Sequence, residues 1–140
     1  MTPKQLSHHL QDHQPALKRL GVACIFLLGS RALGIERPNS DYDFGILLKK
    51  LPPKGPKRRK LYNALYDILG KTVNELRNMD IIFLQDSPLE LRFHTARYGS
   101  VIFETDPQIR GRFLENTIRE FADFEPYRRV FEKAILERIG

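Results

Sequence analysis

The chain has 140 residues, 41% of them hydrophobic, and its 23 lysines and arginines exceed its 17 acidic residues, giving a formal net charge of +6. This length suffices for one domain, expected over residues 1–140, and the lack of an apolar run long enough to span a bilayer favours a soluble cytoplasmic protein. The positive charge favours nucleotides, RNA or acidic protein surfaces as partners and does not choose among them.

The first segment predicts an amphipathic helix with one interruption. Thr2 and Pro3 suit an N-cap and a first helical position. Pro15 should interrupt the helix and Gly21 should end it. The leucines that recur at helical spacing are Leu6, Leu10, Leu17 and Leu20.

Residues 22–28, VACIFLL, have the length and composition of a buried strand. Cys24 lies within this run and, as the single cysteine, is expected to be inert core. Gly29 then permits a sharp turn close to a ligand, and the hydroxyl of Ser30 beside backbone N–H groups suits phosphate oxygens. Ser-Arg-Ala-Leu after Gly29 predicts a short helical turn whose N-terminus faces the same anion.

Two acidic residues precede the next apolar run. Asp41 and Asp43 are two residues apart at the start of a strand expected over residues 44–48, so both carboxylates should project from one face. Side-by-side carboxylates repel each other unless a cation lies between them, and oxygen ligands suit Mg²⁺. Asp80 opens another apolar run over residues 80–84. If that strand pairs beside the first, the three acids would hold two metal ions roughly 3.5–4 Å apart.

The segment over residues 49–60 is predicted to be an extended loop because of its prolines and glycine, and seven of its twelve residues are basic. Two interpretations stay open. The segment guides a triphosphate, RNA or an acidic toxin towards the site, or it is a solvated loop, since it contains no aromatic residue for stacking bases. Leu61, Leu65 and Leu69 then predict a helix that covers one sheet face.

The remaining elements complete a mixed α/β (α+β) pattern, a small sheet flanked by helices with a C-terminal helical extension. Ser87 is expected to cap a helix that runs to about residue 98, and residues 101–103 predict an edge strand. A helical region should begin near Asp106 and break or kink at Pro126. The core would span about residues 20–104 and the helical region about 106–140.

Taken together, Gly29-Ser30, ten further residues, Asp41-x-Asp43, and Asp80 on a later strand resemble the signature of the polymerase β-like nucleotidyltransferase superfamily. The form GSRALGxxxxxSDYD is more similar to the minimal nucleotidyltransferase (MNT) branch, many of whose members are antitoxins paired with HEPN-domain ribonuclease toxins. The motif covers residues 24–84, and residues 102–106 and 120–126 also resemble the tail of those antitoxins. Leu33 departs from the pattern, because many relatives carry a second arginine there.

The resemblance implies a Mg²⁺-dependent nucleotidyltransferase that moves AMP from ATP to a tyrosine hydroxyl of a HEPN toxin, expelling pyrophosphate. Gly29 and Ser30 would hold phosphates, Asp41 and Asp43 would ligate Mg²⁺, and Asp80 would ligate a second ion and orient or deprotonate the acceptor. Arg31 either neutralises the departing group or is an exposed arginine at a helix start.

Other functions stay open from the sequence. One alternative is a binding antitoxin that acts by steric contact. The others are a transferase for a small molecule such as an aminoglycoside, and an RNA-binding protein that uses residues 49–60. The C-terminal region has more apolar residues than are needed to cover one sheet. The additional ones are expected to pack against a helical partner, a second copy of the chain or the protein's own core.

Overall fold

A four-stranded mixed sheet forms the centre of the fold. The computed structural model describes residues 1–32, 41–73 and 78–139, so Leu33 lies outside the described residues. The strands follow the order β3-β2-β1-β4, in which β1 pairs antiparallel with β2 and β4 while β2 and β3 are parallel. Their bounds are β1 (Val22–Leu28), β2 (Tyr42–Leu48), β3 (Met79–Phe83) and β4 (Ser100–Glu104). The predicted β1 and the edge position of β4 are confirmed.

Helices cover both faces of the sheet, and α4 supplies the crossover that the parallel pair β2 and β3 requires. Single 3₁₀ turns occur at Gln11–His13 and Leu84–Asp86. Within the described ranges, no helix has both the length and the hydropathy needed to cross a bilayer. The helices are α1 (Pro3–Leu10), α2 (Gln14–Arg19), α3 (Gly29–Ala32), α4 (Pro56–Val73), α5 (Leu89–Tyr98) and α6 (Pro107–Ile139).

The N-terminal helices form as the sequence predicts. The Thr2 hydroxyl accepts a hydrogen bond from the backbone N–H of Gln5, and the Gln5 side chain accepts one from the backbone N–H of Thr2. This reciprocal capping box satisfies donors that the first turn of a helix leaves unpaired. The 3₁₀ turn before Pro15 is the predicted interruption, and Gly21 ends α2 with a φ of 80°.

The core has two layers, one on each side of β1, and all seven residues of β1 are buried. Ile25 and Leu27 point into the first layer, while Cys24, Phe26 and Leu28 point into the second. The second layer is closed by Phe113 from α6. The first layer is closed by side chains of α1, α2 and α4, namely Leu6, Leu10, Leu17, Leu61, Leu65, Leu69 and Val73. Burial on both faces explains why β1 is a continuous apolar run.

Two predicted loop or break positions are wrong, and both concern proline. Pro56 begins α4, so residues 56–60 are helical and the loop is shorter than expected. Proline is favoured at the first helical position because its missing N–H would be unpaired there anyway. Helix α6 does not break at Pro126, and the alternative of a kink there stays a prediction. An ion pair between Glu125 and Arg129, with 3.4 Å between Oε1 and Nε, spans the proline.

Smaller differences occur at three element ends. Strand β2 begins at Tyr42, two residues earlier than predicted, so Asp43 is within the strand. Strand β3 begins at Met79, one residue before Asp80. Ser87 does not cap α5, because its hydroxyl donates a hydrogen bond to the Leu84 carbonyl at 2.8 Å. That bond closes the 3₁₀ turn instead.

We predict that Cys24 does not react with Ellman's reagent in the native protein. Burial, reinforced by the nearby charge of Glu104, raises the pKa of the Cys24 thiol to about 12. Since the thiolate is the reacting species, absorbance at a pH of about 8 should stay flat until denaturant is added. One equivalent should then react, because the chain has a single cysteine. Rapid reaction without denaturant would contradict the buried position of β1.

Candidate active site

At one end of the sheet, three neighbouring strands bring the Gly29 turn and two acids together. Leu28, the last residue of β1, is the register partner of Asp43 in β2. Asp43 is in turn the register partner of Asp80 in β3. The parallel pairing therefore places the carboxylates of Asp43 and Asp80 side by side, as the sequence predicts for paired strands.

The two acids lie on the face of the sheet that α6 covers. Tyr42 and Phe44 on either side of Asp43 belong to the first core layer, so the alternation of β2 directs Asp43 to the opposite face. Ile81 belongs to the same first layer, which directs Asp80 to the same side as Asp43. Asp41 precedes β2 by one residue and is exposed.

Asp43 lies within electrostatic reach of the other two acids. Burial, followed by the negative charges of Asp80 and then Asp41, raises the pKa of Asp43 above its ordinary value of 3.8. Like charges at short range disfavour the ionised form, and a bound cation would reverse that penalty. The end of the sheet is therefore an acidic site that favours a cation.

The Gly29 turn packs directly on Asp43. Gly29 has a φ of 67°, which favours glycine, and a Cβ at this position would lie 3.2 Å from Oδ2 of Asp43. The absence of a side chain on Gly29 thus leaves the carboxylate of Asp43 in place. Ser30 follows in the first turn of α3, and its side chain is outside the described part of the chain.

Arg31 is not brought to the acids. Its side chain is buried, with 5% of the residue exposed, and its guanidinium carbon lies 3.7 Å from the centroid of the Tyr42 ring. Because Tyr42 faces the first core layer, this cation–π contact lies across the sheet from Asp43. The alternative of an exposed arginine is therefore wrong. Sequence reasoning missed Tyr42, although its place between two acids on an alternating strand indicates a side chain on the opposite face.

The residues fit a Mg²⁺ ion that a bound nucleotide would help to hold. Among the described residues, no group of three or more His, Cys, Asp and Glu side chains is arranged to hold a metal ion. Mg²⁺ commonly takes one or two carboxylates from a protein and its other ligands from water and phosphates. Asp43 and Asp80 supply such a pair, and the three-acid site with Asp41 stays a prediction.

Sequence similarity points to one family of enzymes. The model of the polymerase beta nucleotidyltransferase family matches residues 5–108, which is more than half of the chain. The matched residues include the Gly29 turn and all three acids. No curated protein matches the sequence.

Solved structures with this fold include chains of toxin–antitoxin complexes. A chain of a toxin–antitoxin complex with AMP-PNP is 19% identical, with a TM-score of 0.67 and coverage of 97% of this chain and 99% of that chain. A chain from the complex of the tri-AMPylated Shewanella oneidensis HEPN toxin with its MNT antitoxin is 16% identical, with a TM-score of 0.65 and coverage of 94% and 98%. A chain of the MntA–HepT complex is 16% identical, with a TM-score of 0.61 and coverage of 90% and 98%. At these identities the likeness establishes the fold.

We predict that Asp43→Asn stabilises the metal-free protein at neutral pH. The substitution removes a carboxylate whose ionised form the fold disfavours, so the free energy of unfolding should rise by up to about 1 kcal/mol, a value limited by solvent screening. The melting temperature should rise by roughly 2–5 °C. Asp67→Asn, at an exposed position of α4, is the matched control and should leave the melting temperature almost unchanged.

The gain from Asp43→Asn should depend on pH in one direction. The pKa of Asp43 is higher in the folded state, so ionised Asp43 destabilises the unsubstituted protein fully above that raised pKa. The destabilisation, and with it the gain from Asp43→Asn, disappears as pH falls below the ordinary value of 3.8. Thermal melts of both proteins at several pH values, with chelator present, measure this. A gain that persists below a pH of 3.8 would show that repulsion at Asp43 is not its cause.

Proposed function

The chain belongs to the polymerase beta nucleotidyltransferase family, and from that premise we propose that it is an antitoxin that transfers AMP from ATP to a HEPN-domain toxin. The observation that carries this proposal is the in-register pair Asp43 and Asp80 beside the Gly29 turn. Chains of the same fold occur in a complex with AMP-PNP and in a complex with a tri-AMPylated HEPN toxin. These likenesses support the choice of donor and of partner.

The Gly29 turn is the proposed phosphate-binding element. Its positive φ and missing Cβ leave room beside Asp43, so the phosphates of ATP can approach the backbone of Gly29 and Ser30. Backbone N–H groups in such turns donate hydrogen bonds to phosphate oxygens. The triphosphate would then lie between this turn and the acids.

The acids are the proposed metal ligands. Asp43 and Asp80 would hold Mg²⁺ together with phosphate oxygens, and exposed Asp41 would add a third carboxylate. When bound, Mg²⁺ would neutralise negative charge on the triphosphate. Burial and the neighbouring negative charges raise the pKa of Asp43, and a cation would offset both effects.

Asp80 is the residue proposed to act on the hydroxyl that receives AMP. It lies at the exposed outer strand of the sheet, where a hydroxyl from a partner can reach it. Its carboxylate would accept the proton of a tyrosine hydroxyl while that oxygen bonds to the α-phosphorus of ATP. The bond from the α-phosphorus to the bridging oxygen breaks, and pyrophosphate leaves with the electron pair.

We assign Arg31 a positioning role instead of a contact with the departing phosphates. Its guanidinium stacks on Tyr42 and joins α3 to β2, the two elements that carry the turn and Asp43. This contact would fix the distance between the phosphate-binding turn and the acids.

A second candidate is an antitoxin that acts only by binding. The distal half of α6 exposes hydrophobic side chains that nothing in the described chain covers, which favours a protein-binding surface. They are Phe124, Tyr127, Val130, Ile135 and Leu136. The two candidates differ in whether the acids are needed.

We predict that incubation of the chain with ATP, Mg²⁺ and a cognate HEPN-domain protein increases the mass of that protein in steps of one AMP. Replacing Asp43 and Asp80 together by asparagine should lower the initial rate by roughly a hundredfold or more, because both ligand and base are lost. Intact-mass spectrometry measures the increments. Asp67→Asn is the matched control and should retain the rate.

Two results would replace the proposal with a rival. A stable complex without any mass increment, together with full neutralisation by the double variant in cells, would leave an antitoxin that acts by contact. Consumption of ATP with a small-molecule acceptor, such as an aminoglycoside, and none with the HEPN protein would indicate a different substrate class.

We further predict that Gly29→Ala and Gly21→Ala have different effects on activity. Both glycines have positive φ, so each alanine should cost about 1–2 kcal/mol of stability. Only the Cβ at position 29 meets Oδ2 of Asp43, since a Cβ at Gly21 has nothing within 4 Å. Gly29→Ala should therefore also lower AMP transfer by roughly tenfold to a hundredfold. Equal activity of the two variants, measured well below both melting temperatures, would rule out a role for the turn.

A further inference from the structure

The whole positive charge of the protein comes from one segment. Residues 49–60 contain seven lysines and arginines and no acid, which leaves 16 of the 23 basic residues against 17 acids in the rest of the chain. This segment follows Leu48, at the far end of β2 from Asp43. At about 3.3 Å per strand residue, the two regions lie roughly 17 Å apart along β2. The segment is therefore not placed to guide a triphosphate onto the acids.

The charge is concentrated where it weakens the fold. Helix α4 begins at Pro56 and has no acidic residue in its first turn, where Lys57, Arg58, Arg59 and Lys60 follow in sequence. Helix N-termini carry partial positive charge, so cations there are unfavourable and acids are preferred. Arg19 of α2 lines a separate hollow with Lys57 and Lys60. A local conflict of this kind is typical of a site kept for a function.

The structure adds aromatic rings that the segment itself lacks. A hollow of about 260 Å³ is lined by Lys54, Gly55, Arg58, Arg59, Tyr62 and Phe83. The rings of Phe83 and Tyr62 lie 6.4 Å apart, and the rings of Tyr62 and Tyr66 stack at 6.2 Å. Tyr66 is 41% exposed at the end of this row. Because Arg59, Tyr62 and Tyr66 are spaced by three and four residues, they share one face of α4.

Arg58 organises this surface through hydrogen bonds to Pro52 and Asp86. Its guanidinium donates two hydrogen bonds to the Pro52 carbonyl, at 2.9 and 2.7 Å, and one to Asp86 at 2.8 Å. The arginine thereby holds the proline-rich turn against the start of α4. Lys54 and Arg59 are exposed, and both line the hollow that contains Tyr62 and Phe83.

We propose that this surface, formed by Lys54, Arg59 and the row Phe83, Tyr62 and Tyr66, binds single-stranded nucleic acid. Lysines and arginines would contact the phosphates, and a base would stack on the exposed ring of Tyr66. An acidic polypeptide could use the cations but has no flat bases to stack on the tyrosine row. The aromatic row is therefore what favours nucleic acid over an acidic protein.

The test is fluorescence anisotropy of the full chain with labelled oligouridine and oligothymidine of about ten nucleotides, at several salt concentrations. Both should bind, with affinity that falls steeply with salt. Lys54→Gln with Arg59→Gln should reduce the slope of log affinity against log salt by about 1.4, since two phosphate contacts are lost. Lys71→Gln with Lys133→Gln removes the same charge from exposed positions outside this surface and should leave the slope unchanged.

Tyr66→Ala tests stacking separately from charge. It should weaken binding roughly fivefold to a hundredfold. Tyr98→Ala, at a position of α5 that is 42% exposed, should have no effect. Tighter binding of oligouridine would identify the natural ligand as RNA, and tighter binding of oligothymidine would identify it as DNA.

Two outcomes would overturn the proposal. One is no binding of either oligonucleotide at low salt by protein that melts cooperatively. The other is equal binding of polyglutamate together with no effect of Tyr66→Ala, which would indicate a surface for acidic proteins. Neither outcome bears on AMP transfer, because the tested variants leave the Gly29 turn, Asp43 and Asp80 unchanged.

Discussion

The register of β2 against its two neighbours is the constraint on which the candidate active site depends. Leu28, Asp43 and Asp80 are partners across three strands, so the Gly29 turn and both carboxylates meet at one point. A slip of one residue would turn Asp43 into the first core layer and Tyr42 out of it. The buried faces of Tyr42 and Phe44 oppose such a slip, because it would expose two aromatic rings and bury a charge. The hydrophobic core thus sets the geometry of the acidic site.

The acidic site opposes folding, and the rest of the sheet offsets that effect. Asp43 is half-buried beside two other carboxylates, which is unfavourable without a cation. The strand next to it, β1, is buried along its full length and packs against helices on both faces. Arg31 adds a second anchor, since its stack on Tyr42 ties α3 to the strand that carries Asp43. A rigid support of this kind would let the acids stay close together and bind a cation without rearrangement.

Those parts of the fold that depend on local pattern could be predicted from the sequence. The apolar run of β1 and the turn at Gly29 follow from periodicity and from glycine, whereas the shared face of the acids Asp41 and Asp43 stays a prediction. The interior proline at Pro126 and the burial of Arg31 did not follow. The burial of Arg31 depends on a contact made after folding, the ring of Tyr42 beneath the guanidinium. The helix continues through Pro126 with an exposed ion pair of Glu125 and Arg129 beside it, which adds little to stability. Site roles that rest on these acids remain proposals, because no pattern specifies the acceptor.

The division of charge between the two ends of the sheet is a property that composition alone conceals. A net charge of +6 suggests a uniformly basic protein, yet three acids, Asp41, Asp43 and Asp80, lie where β2 begins and seven of the 23 basic residues follow its end. At physiological salt the Debye length is about 8 Å, so charges roughly 17 Å apart along a strand scarcely influence each other. An acidic site that favours a cation and a basic surface that favours phosphates can therefore coexist in a small domain. The crossover β2–α4–β3 makes this possible, because it carries the chain from the acidic end to the basic end and back within a single motif.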